Sequence, residues 1–113
     1  MDLIAKVCEI PARMKARPDV SASSLVDESG YRGAPTALRV EAVVSYLAQH
    51  PALLDGWIGY SADKRVSSGW YIRENAGARL EVGYYPQGEC LYFDDRHRAC
   101  AEFIIREVRS IVG

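Results

Sequence analysis

No apolar run in this 113-residue chain approaches the roughly 18 residues that a membrane-spanning helix needs. An excess of charge of one sign is also missing, since 14 Lys and Arg stand against 15 Asp and Glu, for a net charge of −1. Residues 1–57 hold six basic and seven acidic groups, so neither end is a basic arm or an acidic tail. A nucleic-acid-binding surface carries a basic excess on one face, and nucleic acid is not the expected partner here. The densest basic cluster, Lys6, Arg13, Lys15 and Arg17, is opposed by Glu9 and reads as a solvated helix face.

Cysteine is scarce and unpaired in pattern. Cys8, Cys90 and Cys100 are odd in number and show no C-x-x-C spacing, which argues against a disulfide framework or a structural zinc site. A Cys90–Cys100 bridge stays open. The chain has only 2 His, and these lack metal-ligand spacing. Neither G-x-G-x-x-G, G-x-x-x-x-G-K-[ST] nor G-x-S-x-G occurs, so no phosphate loop or nucleophile elbow is indicated. No cofactor and no metal are expected. What is present is ordinary for a folded protein: 49% apolar and 26% charged residues, far from the composition of disorder. The length predicts one domain over residues 1–113. At the N-terminus, Asp2 stands where a secretory signal wants positive charge, and Lys6 and Glu9 break the apolar stretch. The chain therefore reads as cytoplasmic.

The hydrophobic pattern has period 3.6 first and period 2 later. Leu3, Ile4, Val7 and Cys8 predict a helix that Pro11 must break near Ile10. A short helix over 21–29 has Ser21 to cap it and Gly30 to end it. After the loop Gly30–Pro35, Val40, Val43, Val44 and Leu47 predict a helix that Thr36 could cap and His50-Pro51 ends. Leu53, Leu54, Trp57 and Ile58 predict another, to about Tyr60, with a strand at 57–60 as the alternative. Ser61–Gly69 reads as a polar connection. Residues 69–74, 78–85 and 89–94 then alternate as three strands joined by short turns, a pattern that favours an antiparallel meander. A last helix, capped by Asp94 or Asp95, carries Cys100, Phe103, Ile104, Val108 and Ile111 on one face. The expected class is α+β, with N-terminal helices, a three-stranded antiparallel meander, a C-terminal helix and two-layer packing.

Side chains alternate across a sheet. One face should carry Trp70, Ile72, Leu80, Val82, Tyr84, Leu91 and Phe93 and be core. The other should carry Tyr71, Arg73, Glu81, Tyr85, Cys90 and Tyr92. Eight of the eleven aromatic residues fall between Trp57 and Phe93. Tyrosine suits an interface, because its ring packs and its hydroxyl bonds. Two readings of this face stay open: the N-terminal helix covers it, or it is left for a partner.

Candidate chemistry is sparse. Asp63, Lys64, Arg65, Ser67 and Ser68 form the densest polar cluster, either a solvated loop or a recognition loop on a rigid scaffold. A Ser–Lys pair would need a desolvated lysine to act as a nucleophile. His97 lies near Asp94 and Asp95, a pairing that could serve acid–base chemistry.

The stretches HPALLDGWIGYSADKRVSSGWYI (His50–Ile72), GYYP (Gly83–Pro86) and FDDRHRACAEFI (Phe93–Ile104) resemble small bacterial cytoplasmic proteins of the type that includes immunity proteins of polymorphic toxin systems. The resemblance spans the C-terminal two-thirds and transfers no residue roles. It implies a non-enzymatic protein that binds a toxin. Such proteins often present acidic surfaces to nucleases, and a net charge of −1 departs from that. The expected contact residues are Tyr71, Arg73, Glu81, Tyr85 and Tyr92, with Asp63, Lys64 and Arg65. The alternatives are a small enzyme or ligand-binding domain built on Asp63–Ser68, and a homodimer formed through the tyrosine face.

Overall fold

Proline lacks an N–H and crowds the preceding turn, and the N-terminal apolar stretch accordingly forms two helices, α1 (Leu3–Cys8) and α2 (Ile10–Ala16). Pro11 sits in the first turn of α2, where its missing donor costs nothing. The computed structural model describes residues 3–64, 69–74, 79–86, 88 and 90–113. Helix α3 (Ala22–Ser29) is capped as expected, Ser21 Oγ accepting from Ser24 N at 3.1 Å. Gly30 ends it at φ +86°, a left-handed conformation that a side chain disfavours. Two 3₁₀ turns, Tyr31–Gly33 and Pro35–Ala37, lead to α4 (Val40–Gln49). Thr36 lies within the second turn and does not cap α4. Arg39 occupies the cap position without a side-chain bond.

Helix α5 runs Ala52–Lys64. It passes straight through 57–60, so the strand alternative fails, and it continues four residues beyond Tyr60. Ser61 explains the extension: its hydroxyl accepts from the Ile72 N–H at 2.9 Å, tying the helix to the first strand. The strands β1 (Gly69–Glu74), β2 (Leu80–Tyr85) and β3 (Cys90–Phe93) form one antiparallel sheet in the order β1-β2-β3. Ile72 pairs with Val82, and Val82 with Leu91. Helix α6 (Arg96–Val112) closes the chain. Asp95, not Asp94, is its cap, accepting from His97 N at 2.9 Å and Arg98 N at 3.2 Å. Asp94 pairs instead with Arg79 at 3.0 Å. Replacing Asp95 with Ala should therefore lower stability by about 1 kcal/mol, read as a shifted urea midpoint, while Asp94→Ala should change it far less.

The protein is α+β, with helices packed on a three-stranded antiparallel sheet. Both α5 and α6 lie against β1, and α6 also reaches β2 and β3. Ile72, Leu80 and Val82 from the sheet join Phe103, Ile104 and Val108 from α6 in one buried cluster. Val43 and Leu47 from α4 and Val7 and Cys8 from α1 complete it. Trp57 is the largest buried side chain, and its indole N–H donates to the Cys8 carbonyl at 2.9 Å. Cys8 and Cys100 are free and buried, as small apolar side chains would be, whereas Cys90 is free and exposed. The Cys90–Cys100 bridge is thus absent, and burial pushes the Cys100 thiol well above its ordinary pKa. No helix among the described residues is long and apolar enough to cross a membrane.

Candidate binding face of the sheet

Ile72, Leu80 and Val82 carry the side of the sheet that joins the helices in the buried cluster. The N-terminal helices pack elsewhere, α1 against α3 and α4, and α2 against α5 and α3. The reading in which they cover the tyrosines therefore fails. Register arranges the uncovered face in rows. Tyr71, Gly83 and Cys90 stand side by side on the three strands, and Arg73, Glu81 and Tyr92 form the next row. Tyr85 follows beside Gly69 at the end of the sheet.

Gly83 is what gives these rows their chemistry. A Cβ there would lie 2.5 Å from the Tyr71 hydroxyl. With only hydrogen at that position, the Tyr71 ring lies down across β2. Its hydroxyl donates to Glu81 Oε2, and Cys90 Sγ stands 3.4 Å from the same hydroxyl. Arg73 Nη2 reaches Glu81 Oε1 at 3.3 Å and Oε2 at 3.2 Å, and its guanidinium lies 5.5 Å from the Tyr71 ring centre. The result is a carboxylate only 5% exposed on the face of the sheet opposite the Ile72, Leu80 and Val82 core. The Tyr71 hydrogen bond, with the Arg73 charge, holds the Glu81 carboxyl below the usual carboxylate range and outweighs the opposing effect of burial. Tyr71 is shifted the other way: burial, the Cys90 contact and Glu81 raise its hydroxyl well above the ordinary tyrosine value. The group therefore stays a donor at any working pH.

Around this fixed centre, Tyr85 is 56% and Tyr92 54% exposed. Tyr84, expected on the core face, is exposed instead, and its register partner is Trp70. It packs edge-on against Trp70, with ring centres 5.3 Å apart. Tyr71, Arg73, Tyr85 and Tyr92 thus share one surface, whereas Glu81, expected as a contact residue, is buried among them and anchors Tyr71 and Arg73 instead. The sequence placed them on one face but did not show that Glu81 would be sequestered. Gly83, alone among the uncovered positions of the central strand, was the available signal.

The other candidates do not join them. Asp63 and Lys64 form the last turn of α5 rather than a loop, and Arg65–Ser68 lie outside the described residues. Asp63 borders a groove between α2 and α5 with Met14 and Tyr60, on the helix side of the molecule. That groove does not include His97, so no pocket there unites Asp63 with a histidine. His97 Nδ1 stands 3.9 Å from Asp95 Oδ1, and that carboxylate is occupied in capping α6. His50 stacks on Tyr46, with ring centres 4.2 Å apart. In the basic cluster, Arg13 pairs with Glu9 at 3.2 Å and Arg17 with Glu28 at 3.8 Å. No group of three or more His, Cys, Asp or Glu side chains placed to hold a metal ion occurs among the described residues.

Comparison of the chain with protein-family models, curated proteins and solved structures found no match.

Proposed function

We propose that this chain is a non-enzymatic protein-binding module whose contact surface is the helix-free face of its sheet. One observation carries the reading: exposed Tyr85 and Tyr92 flank a carboxylate that Tyr71 and Arg73 hold in place. Tyrosine and arginine are the residue types most often found at binding hot spots. Side chains already fixed in the free protein lose little freedom on association, which leaves more of the contact energy for affinity. The particular role we propose is that of an immunity-type protein that binds and neutralises a cognate bacterial toxin in the cytoplasm. The resemblance of His50–Ile72 and Phe93–Ile104 to that class supports it.

The test is affinity capture from the native host with tagged protein, combined with light scattering of the purified chain. The expected result is one stoichiometric polypeptide whose toxicity is relieved when the two are co-expressed. Tyr85→Ala should weaken that complex by about 2 kcal/mol, close to thirtyfold, without lowering the urea midpoint of the free protein. A self-associating chain whose dimer is broken by Tyr85→Ala would replace the toxin with a second copy. A monomer that captures nothing would sink the proposal.

A further inference from the structure

On the helix side of the molecule, the turn before α4, α4 itself, α6 and β1 border an open cleft of about 820 Å³. That volume lies within the range of small-molecule sites. Its apolar lining comes from Leu38, Val40, Ile105 and Trp70. Leu38 and Ile105 are buried, and Trp70 is half-buried. Three arginines share the lining: Arg39 from the start of α4, and Arg106 and Arg109 from α6.

The charge balance of the cleft decides what it would hold. Two carboxylates, Glu41 and Glu102, also line it. Glu102 is already satisfied, since it takes Arg98 Nε at 3.1 Å on one oxygen and Arg106 Nη1 on the other. Burial pushes its carboxyl up, but the bonds from Arg106 and Arg98 outweigh this and keep it ionised. Arg106 is held in place by that pair and by Trp70, whose ring centre lies 5.5 Å from its guanidinium. Arg39 and Glu41 approach only to 3.9 Å, both largely in solvent, and such a contact contributes little. Arg109 makes no ion pair among the described residues. The cleft lining thus holds two weakly engaged guanidinium groups, one from the start of α4 and one from α6, together with the apolar side chains.

We propose that this cleft binds a small organic anion, its carboxylate or phosphate held by Arg39 and Arg109 and its apolar body laid against Leu38, Ile105 and Trp70. Planar guanidinium forks match such anions. The site is separate from the tyrosine face, and it stands whether or not that face binds a protein.

The test uses two probes of nearly the same shape, 1-naphthoate and the neutral 1-naphthalenemethanol, titrated by calorimetry into the full chain. Naphthoate should bind with a Kd of about 1 mM or tighter. It should exceed the alcohol by about tenfold, the worth of one charge-assisted hydrogen bond. The double variant Arg39→Ala/Arg109→Ala should retain its far-UV circular dichroism and bind naphthoate no better than the alcohol. Tyr85→Ala should leave naphthoate binding unchanged. Equal affinity for both probes, no binding of either, or undiminished naphthoate binding by the double variant would each overturn the assignment.

Discussion

Replacing Trp57 with Ala is expected to lower stability by about 3 to 5 kcal/mol, the usual cost of removing a fully buried indole. That is a large share of the 5 to 15 kcal/mol by which a domain is typically stable. Trp57 is 1% exposed, and two aromatic neighbours on α5 and α6 depend on it: Tyr60, with ring centres 5.1 Å away, and Phe103, 6.0 Å away. It also spans two parts of the chain that sequence separates widely, since its N–H satisfies the Cys8 carbonyl at the end of α1. A cavity here would loosen α5 and, through Ser61, its grip on β1. In urea the midpoint should fall by about 2 to 3 M. Trp57→Phe should recover most of this, since the ring contacts persist and only the bond to Cys8 is lost. An alanine variant whose midpoint moves by less than about 0.5 M would show that Trp57 is not the keystone of this core.

The same residue shows how far the sequence could be read. Trp57 lies on a stretch with Gly56 and Gly59, residues that weaken a helix, and period alone could not exclude a strand. The outcome was decided by tertiary contacts: indole to Cys8, Tyr60 to Glu107 at 2.6 Å, and Ser61 to Ile72. None of these has a local signature. Burial and the contact with Glu107 push the Tyr60 hydroxyl well above its ordinary pKa, which marks how enclosed that end of α5 is. By contrast, α6, the break at Pro11 and the meander were legible, because each rests on a local rule. Those rules are a capped apolar stripe, a missing N–H, and alternation between short turns. The α4 cap was misread for a related reason: Thr36 has the right chemistry, but Pro35 draws it into a 3₁₀ turn four residues early. For the binding face, alternation correctly assigned every residue to a side of the sheet. It could not say that Tyr71 would fold over Gly83, because that depends on cross-strand register.

Register is also what the second large effect tests. Tyr71→Phe should lower stability at pH 7 by about 2 to 3 kcal/mol, the worth of a hydrogen bond to a charged group in a partly buried site. The ring would still lie across Gly83, but Glu81 would keep only the exposed Arg73 and the weak Cys90 thiol, 3.8 Å away. The pH dependence identifies the cause. In the native protein Glu81 has a lowered pKa, chiefly through Tyr71. A lowered carboxylate pKa contributes stability that is present above the unfolded value, about 4.3, and is lost as pH falls through the folded value. The gap between wild type and Tyr71→Phe should therefore be full at pH 7 and shrink steadily below pH 4. A gap of constant size down to pH 2.5 would mean that the hydroxyl contributes through packing and not through the carboxylate. If the face is the partner surface, Tyr71→Phe should also weaken capture of the partner near neutral pH, because Glu81 and Arg73 would no longer be held in a single geometry before contact. Tyr85→Ala, by contrast, should weaken capture while leaving the urea midpoint unmoved at every pH. Together the two variants separate a residue that builds the surface from one that is the surface.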